Sequence, residues 1–139
     1  MTNSKSAGFT LIELVIVIVI LGVLAAVAAP RFIDLSEDAE SSALQAQASA
    51  ITSASAINFA AAATRGRDAS DEDVEEVTEC NDETVGRLLE GGLDTERYEV
   101  VSGSFDEQEF GSRATCELEA LNSSVENRDF TLIYVGNGG

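Results

Sequence analysis

An unbroken apolar run near the start of the chain limits its possible folds more than any other feature. From Phe9 to Ala29 there are 21 consecutive residues, FTLIELVIVIVILGVLAAVAA, in which only Thr10 and Glu13 are polar. A helix of that length matches one crossing of a bilayer's hydrocarbon core. Lys5 precedes the run and no further base follows before Arg31, whereas every acid except Glu13 lies at Asp34 or later. The positive-inside rule then puts residues 1–8 in the cytoplasm and the acidic remainder across the membrane. A secretory signal is the competing reading, and Ala26–Ala28 supplies an A-x-A-like end for it. The run is longer than the roughly 7–15 apolar residues such signals use. Glu13 also argues against it. An unneutralised carboxylate drawn toward the bilayer centre costs ~2.5 kcal/mol or more, and an intramembrane acid is by default a functional group with a partner.

Beyond the run the chain is strongly acidic, with 25 acids against 8 bases and a net charge of −17. Such a surface repels phosphate backbones, so nucleic-acid binding by this chain alone is not expected. Lys5 is the only lysine; the other bases are arginines. A lysine-poor, acid-rich surface suits saline surroundings that screen its self-repulsion, and it suits ordinary solubility equally well. The absence of histidine removes the commonest general base and metal ligand. No nucleophile–base pair can be assembled except through carboxylates or the distant Lys5, and no Gly-rich loop fits a phosphate. Neither an enzyme nor a cofactor is expected. The acids Asp71, Glu72, Asp73, Glu75 and Glu76 suggest calcium. They lack the glycine of an EF-hand loop, however, and Asp82 stands where that loop needs glutamate, so a solvated acidic loop is the better reading and no metal is expected.

Two cysteines, Cys80 and Cys116, make an even count. In an oxidising compartment they most simply form one disulfide, worth on the order of 3–4 kcal/mol by loop closure. A metal or redox dithiol is the alternative, but there is no C-x-x-C and no histidine to complete a zinc site.

Helical character resumes after Pro30. Residues 31–63 are rich in Ala, Leu, Gln and Glu without Gly or Pro, and Leu44, Ala48, Ile51 and Ala54 make an apolar stripe. Read as one helix from Phe9 to Ala63, the segment would extend about 80 Å. An acidic connector follows, in which Ser70 and Asp73 form a capping pair for a short helix through Val77. Asn81 or Asp82 caps a second short helix, Glu83 to Glu90, that stops at Gly91-Gly92. Three strands are expected at Arg97–Ser102, Ala114–Leu121 and Asp129–Val135. In the second, Ala114, Cys116, Leu118 and Ala120 alternate with polar residues, the pattern of a half-buried antiparallel strand. Residues Asn122 to Arg128 read as a hairpin loop; Asn122-Ser123-Ser124 matches a glycosylation sequon, which the loop's composition explains equally well. Phe105, Phe110 and Tyr98 read mainly as core residues. A long helix on a small meander is an α+β fold.

The string Gly8-Phe9-Thr10-Leu11-Ile12-Glu13-Leu14, between a short polar leader and an unbroken apolar helix, resembles the signature of type IV pilins and pseudopilins. Gly22 and Pro30 also stand where that family has them. The resemblance implies a prepilin peptidase that cuts after Gly8 and N-methylates the new terminus at Phe9. It implies that Glu13 attracts the N-terminal amine of a neighbouring subunit during assembly. Cutting frees an α-amine on Phe9 that is cationic at neutral pH when unperturbed. A buried pair of this type adds little net stability, but leaving either member alone is costly, so it works as a register device. The resemblance further implies that Gly22 to Pro30 unwinds in the assembled fibre.

On this reading residues 1–8 are a cleaved leader, 9–29 the transmembrane and assembly half of the helix, and 30–139 the body. The body divides into outer helix (30–63), acidic connector with a short helix (64–96) and sheet (97–139). The implied partners are further copies in a helical filament, the peptidase, an assembly platform with its ATPase, and the inner membrane before assembly. The implied product is an extracellular fibre for attachment and possible motility. The stretch PRFIDLSEDAESSALQAQASAI resembles the mannose-sensitive haemagglutinin branch of the type IVa-like pilins. Type II secretion pseudopilins share the head and form a periplasmic piston, which is the alternative. Many pilins carry one disulfide toward the C-terminus, often nearer to it than Cys80 and Cys116; that pair and the lack of a calcium loop favour the pilin.

Overall fold

The computed structural model describes residues 8–66 and 73–136. The described residues form α1 (Leu11–Thr64), α2 (Asp82–Leu88), β1 (Tyr98–Ser102), β2 (Arg113–Ala120) and β3 (Arg128–Ile133). The three strands make one antiparallel sheet in the order β1-β2-β3, and the fold is α+β. By its contacts the chain divides into a unit ending at Ser36 and a unit starting at Glu37, and α1 runs through both.

In the first unit α1 passes through Pro30 without a break. The proline ring removes one backbone hydrogen bond and crowds the preceding turn, a cost of about 3 kcal/mol. The large apolar side chains from Phe9 to Val27 are exposed on all sides of the helix.

In the second unit α1 lies against the sheet through Leu44, Ala48, Ile51, Ser55, Asn58 and Ala62, all buried. Their 4-3-4-3-4 spacing keeps them on one face. The sequence pattern places Ala54 on this stripe, but Ala54 is only half-buried and the polar Ser55 takes the position. The sheet supplies the reason. Ile133 donates its backbone N–H to Ser55 Oγ at 2.8 Å, and Thr131 donates to Thr52 Oγ1 at 3.0 Å. Two helix hydroxyls thus occupy N–H groups on the outer edge of β3, where a fourth strand would otherwise bond. Arg128 adds a bond from Nη2 to Ser41 Oγ at 2.8 Å. On the opposite edge, Val100 donates to Asp82 Oδ1 at 2.7 Å and Tyr98 to the Asp94 carbonyl at 2.9 Å.

Strand β2 pairs with β3 from Arg113↔Ile133 to Leu118↔Arg128, and with β1 from Tyr98↔Ala120 to Ser102↔Glu117, with a slip between Val100 and Ser102. The expected alternation holds: Ala114, Cys116, Leu118 and Ala120 all point into the core, beside Phe130 and Leu132 of β3. The third strand ends two residues earlier than expected. Val135 leaves the sheet to bridge Val77, with N–H···O distances of 2.7 and 3.0 Å.

That bridge overturns the short helix expected through Val77. Ser70, Asp71 and Glu72 lie outside the described residues, but residues 73–77 are not helical. Asn58 holds this segment open, donating from Nδ2 to the Glu75 carbonyl and accepting from the Glu75 N–H at Oδ1, both at 2.8 Å. Val74 and Val77, on either side, are buried. Long-range packing has overridden a local capping signal.

Asn81 caps α2, with Oδ1 accepting from the Thr84 N–H at 2.8 Å. The helix stops at Leu88 rather than Glu90, because Leu89 turns extended and Gly92, with φ 75°, closes a turn onto the Leu89 carbonyl. Cys80 and Cys116 form a disulfide that ties the approach to α2 to the centre of β2. The aromatics pack as core: Tyr98 is buried, Phe105 meets Tyr134 edge-on at 5.4 Å, and Phe110 lies 5.0 Å from Phe59.

Candidate functional site

The processing and assembly residues inferred from the sequence sit in and around the first turn of α1. Gly8 and Phe9 precede the helix and are exposed, Phe9 to 83%. Among the described residues a Cβ added at Gly8 would meet nothing within 4 Å, so their packing does not require glycine there. A requirement for it would have to come from whatever recognises the segment. The rest of the implied leader, residues 1–7, lies outside the described residues.

Thr10 is the residue before the first helical position, and Glu13 lies three residues on. Their side chains form a reciprocal cap. Glu13 Oε2 accepts from the Thr10 backbone N–H at 2.8 Å and from the Thr10 hydroxyl at 3.0 Å, while the Glu13 N–H donates to Thr10 Oγ1 at 3.3 Å. This is a capping box, which satisfies two orphan donors at a helix start. Caps of this kind contribute about 1 kcal/mol. The partner expected for Glu13 from its cost in a membrane lies in another subunit; this intrachain partner is a second one, and Thr-x-x-Glu ahead of an apolar run is its sequence signal. Both bonds fall on Oε2. Among the described residues Oε1 accepts none, so the carboxylate retains capacity for a further donor.

Gly22 lies inside α1, and a Cβ there would also meet nothing within 4 Å. Glycine in a helix interior costs about 1 kcal/mol relative to alanine, here with no packing gain in the single chain. Gly22 and Pro30 therefore bracket an intrinsically weak section that is nonetheless helical throughout. The most apolar window of α1 has a mean hydropathy of 3.1, and none of it is buried. A helix apolar all round is long enough to cross a membrane and stable only in lipid or against other apolar surfaces.

Residues 3–29 match the prokaryotic N-terminal methylation motif. Among characterised proteins, the chain is 55% identical over 53 residues to the type IV narrow pilus major component PilA5 of Thermus thermophilus. That match covers 38% of this chain and 46% of the relative, so it spans less than half of the relative's length. No solved structure matches the chain.

Proposed function

We propose that this chain is a type IV pilin, a structural subunit that polymerises into an extracellular pilus. The observation that carries this reading is the position of the methylation motif: it spans the start of an apolar helix whose most apolar window is not buried by any of the described residues. The precursor sits in the inner membrane with residues 1–8 on the cytoplasmic side. A prepilin peptidase cuts after Gly8 and methylates Phe9, and the platform and its ATPase then draw the subunit out of the bilayer. Neighbouring apolar helices take the place of lipid around α1 once it has left the membrane.

The geometry suggests how Glu13 takes part. Its carboxylate is already oriented by Thr10, so little side-chain entropy is lost when a neighbour's Phe9 amine arrives at Oε1. Glu13 left without that amine in a filament core would be an uncompensated buried charge, which penalises misregistered docking. The weak section from Gly22 to Pro30 is where the helix would unwind in the fibre. The body, nearest the mannose-sensitive haemagglutinin branch, faces outward and serves attachment rather than catalysis.

Intact mass spectrometry on filaments sheared from cells tests the reading. Abundant chain starting at N-methylated Phe9 is the expected result. Chain processed at Gly8 but confined to the envelope would refute the pilus and favour a pseudopilin.

A further inference from the structure

The two cysteines of the Cys80–Cys116 bridge are unequally exposed. Cys116, in the middle of β2, has no exposed surface (0%) and belongs to the core with Leu118 and Phe130. Cys80 is half-buried and forms part of the wall of an open cleft of about 340 Å³. Thr78, Gly103, Phe105 and Gln108 line the same cleft, and Cys116 does not. The chain lies unusually close over the bridge at Gly103, where φ is +128°. A Cβ at this position would stand 2.8 Å from Cys80 Sγ and 2.7 Å from Cys116 Cα. Only glycine allows the backbone to approach the bridge this closely. Thiol–disulfide exchange requires a thiolate to reach one particular sulfur, so access decides which sulfur is attacked.

We propose that Cys80 is the sulfur through which this bridge exchanges with an external protein thiol, the cleft admitting the partner's cysteine. The partner's thiolate attacks Cys80 Sγ, a new S–S bond forms to Cys80, and the Cys80–Cys116 bond breaks. The electron pair goes to the Cys116 sulfur, which leaves as a thiolate and takes a proton from water. In reverse, Cys116 thiolate attacks Cys80 Sγ of the mixed disulfide and expels the partner's thiolate, which is the final step of making the bridge. One intermediate, with the partner on Cys80, thus serves both directions. The wall of the cleft also carries the Glu79 carboxylate, and the whole chain bears −17, so anionic thiols are disfavoured.

Cysteamine, a small cationic thiol, is therefore the probe. The full oxidised chain in detergent micelles is mixed with cysteamine, quenched with acid at early times, blocked with N-ethylmaleimide and mapped by peptide mass. The expected result is about tenfold more cysteamine on Cys80 than on Cys116, with the preference lost in urea that unfolds the body. Adduct mainly on Cys116, an even split or no adduct on the folded chain would overturn the proposal. So would a preference that survives in urea, because the local sequence rather than the cleft would then set it.

Discussion

Asn58→Ala tests whether two side-chain hydrogen bonds hold the segment after α1 in its extended form. Asn58 is buried, and each of its amide atoms bonds the Glu75 backbone at 2.8 Å. Each bond contributes about 1 kcal/mol net, and the backbone groups left without a partner add a desolvation cost. Glu75 itself is only half-buried, so water recovers part of that loss. The expected destabilisation is about 2–3 kcal/mol. For a body of this size it corresponds to a fall in Tm on the order of 10 °C or more. The assay is urea unfolding of the full chain in micelles, followed by tyrosine fluorescence. The chain has no tryptophan, and its two tyrosines, Tyr98 and Tyr134, both lie in the body, so the apolar helix contributes nothing to the signal. Asn58→Asp keeps the acceptor for the Glu75 N–H but turns an oxygen toward its carbonyl, and should be no more stable than the alanine variant. A midpoint for Asn58→Ala within about 0.5 kcal/mol of the parent, at unchanged m, would refute the clamp.

Substitutions at three further positions test the N-terminal segment and the disulfide region. Glu13→Gln removes the charge but keeps a side chain that can complete the capping box, whereas Glu13→Ala removes both. Both should insert in the membrane and both should reduce sheared filaments at least tenfold, on the order of the coupling expected for a buried charge pair; normal filament yield from the glutamine variant would mean the cap, not the charge, is what matters. Gly8→Val, which meets no packing obstacle among the described residues, should accumulate uncut precursor, and a mature Phe9 terminus in that variant would show that the cut is read elsewhere. Gly103→Ala should lower the stability read from urea unfolding by about 2–3 kcal/mol, from left-handed strain and the collision with Cys116 Cα and Cys80 Sγ; a neutral result would mean the loop moves away freely.

Elements governed by local pattern could be read from the sequence. The apolar run, the alternation of Ala114, Cys116, Leu118 and Ala120, and the Asn81 cap each depend on residues close in sequence, and each appears where expected. Two misreadings have a common cause. Ser55 and Asn58 are polar, so a hydrophobic stripe passes over them in favour of Ala54, yet both are buried because strand and loop backbone donors reach them. The short helix through Val77 likewise loses to Asn58 and Val135, which are remote in sequence. At the candidate site the string from Gly8 to Glu13 lies within the matched methylation motif, residues 3–29. The Thr10–Glu13 cap was overlooked because the cost of Glu13 as an intramembrane charge obscured its simpler role as a helix-capping acceptor.

On the proposed pilin reading, the way the sheet ends has a consequence for subunits waiting to be assembled. Copies anchored as proposed would be confined to one plane and oriented alike, a condition that favours edge-to-edge addition of strands and the aggregates it nucleates. Here the N–H groups of Tyr98 and Val100 on one side, and of Thr131 and Ile133 on the other, are already taken by a turn carbonyl, Asp82, Thr52 and Ser55. A precursor pool would therefore grow dense without its bodies templating one another through these edges. The apolar helix would be left as the adhesive surface, available to other copies only on extraction from lipid.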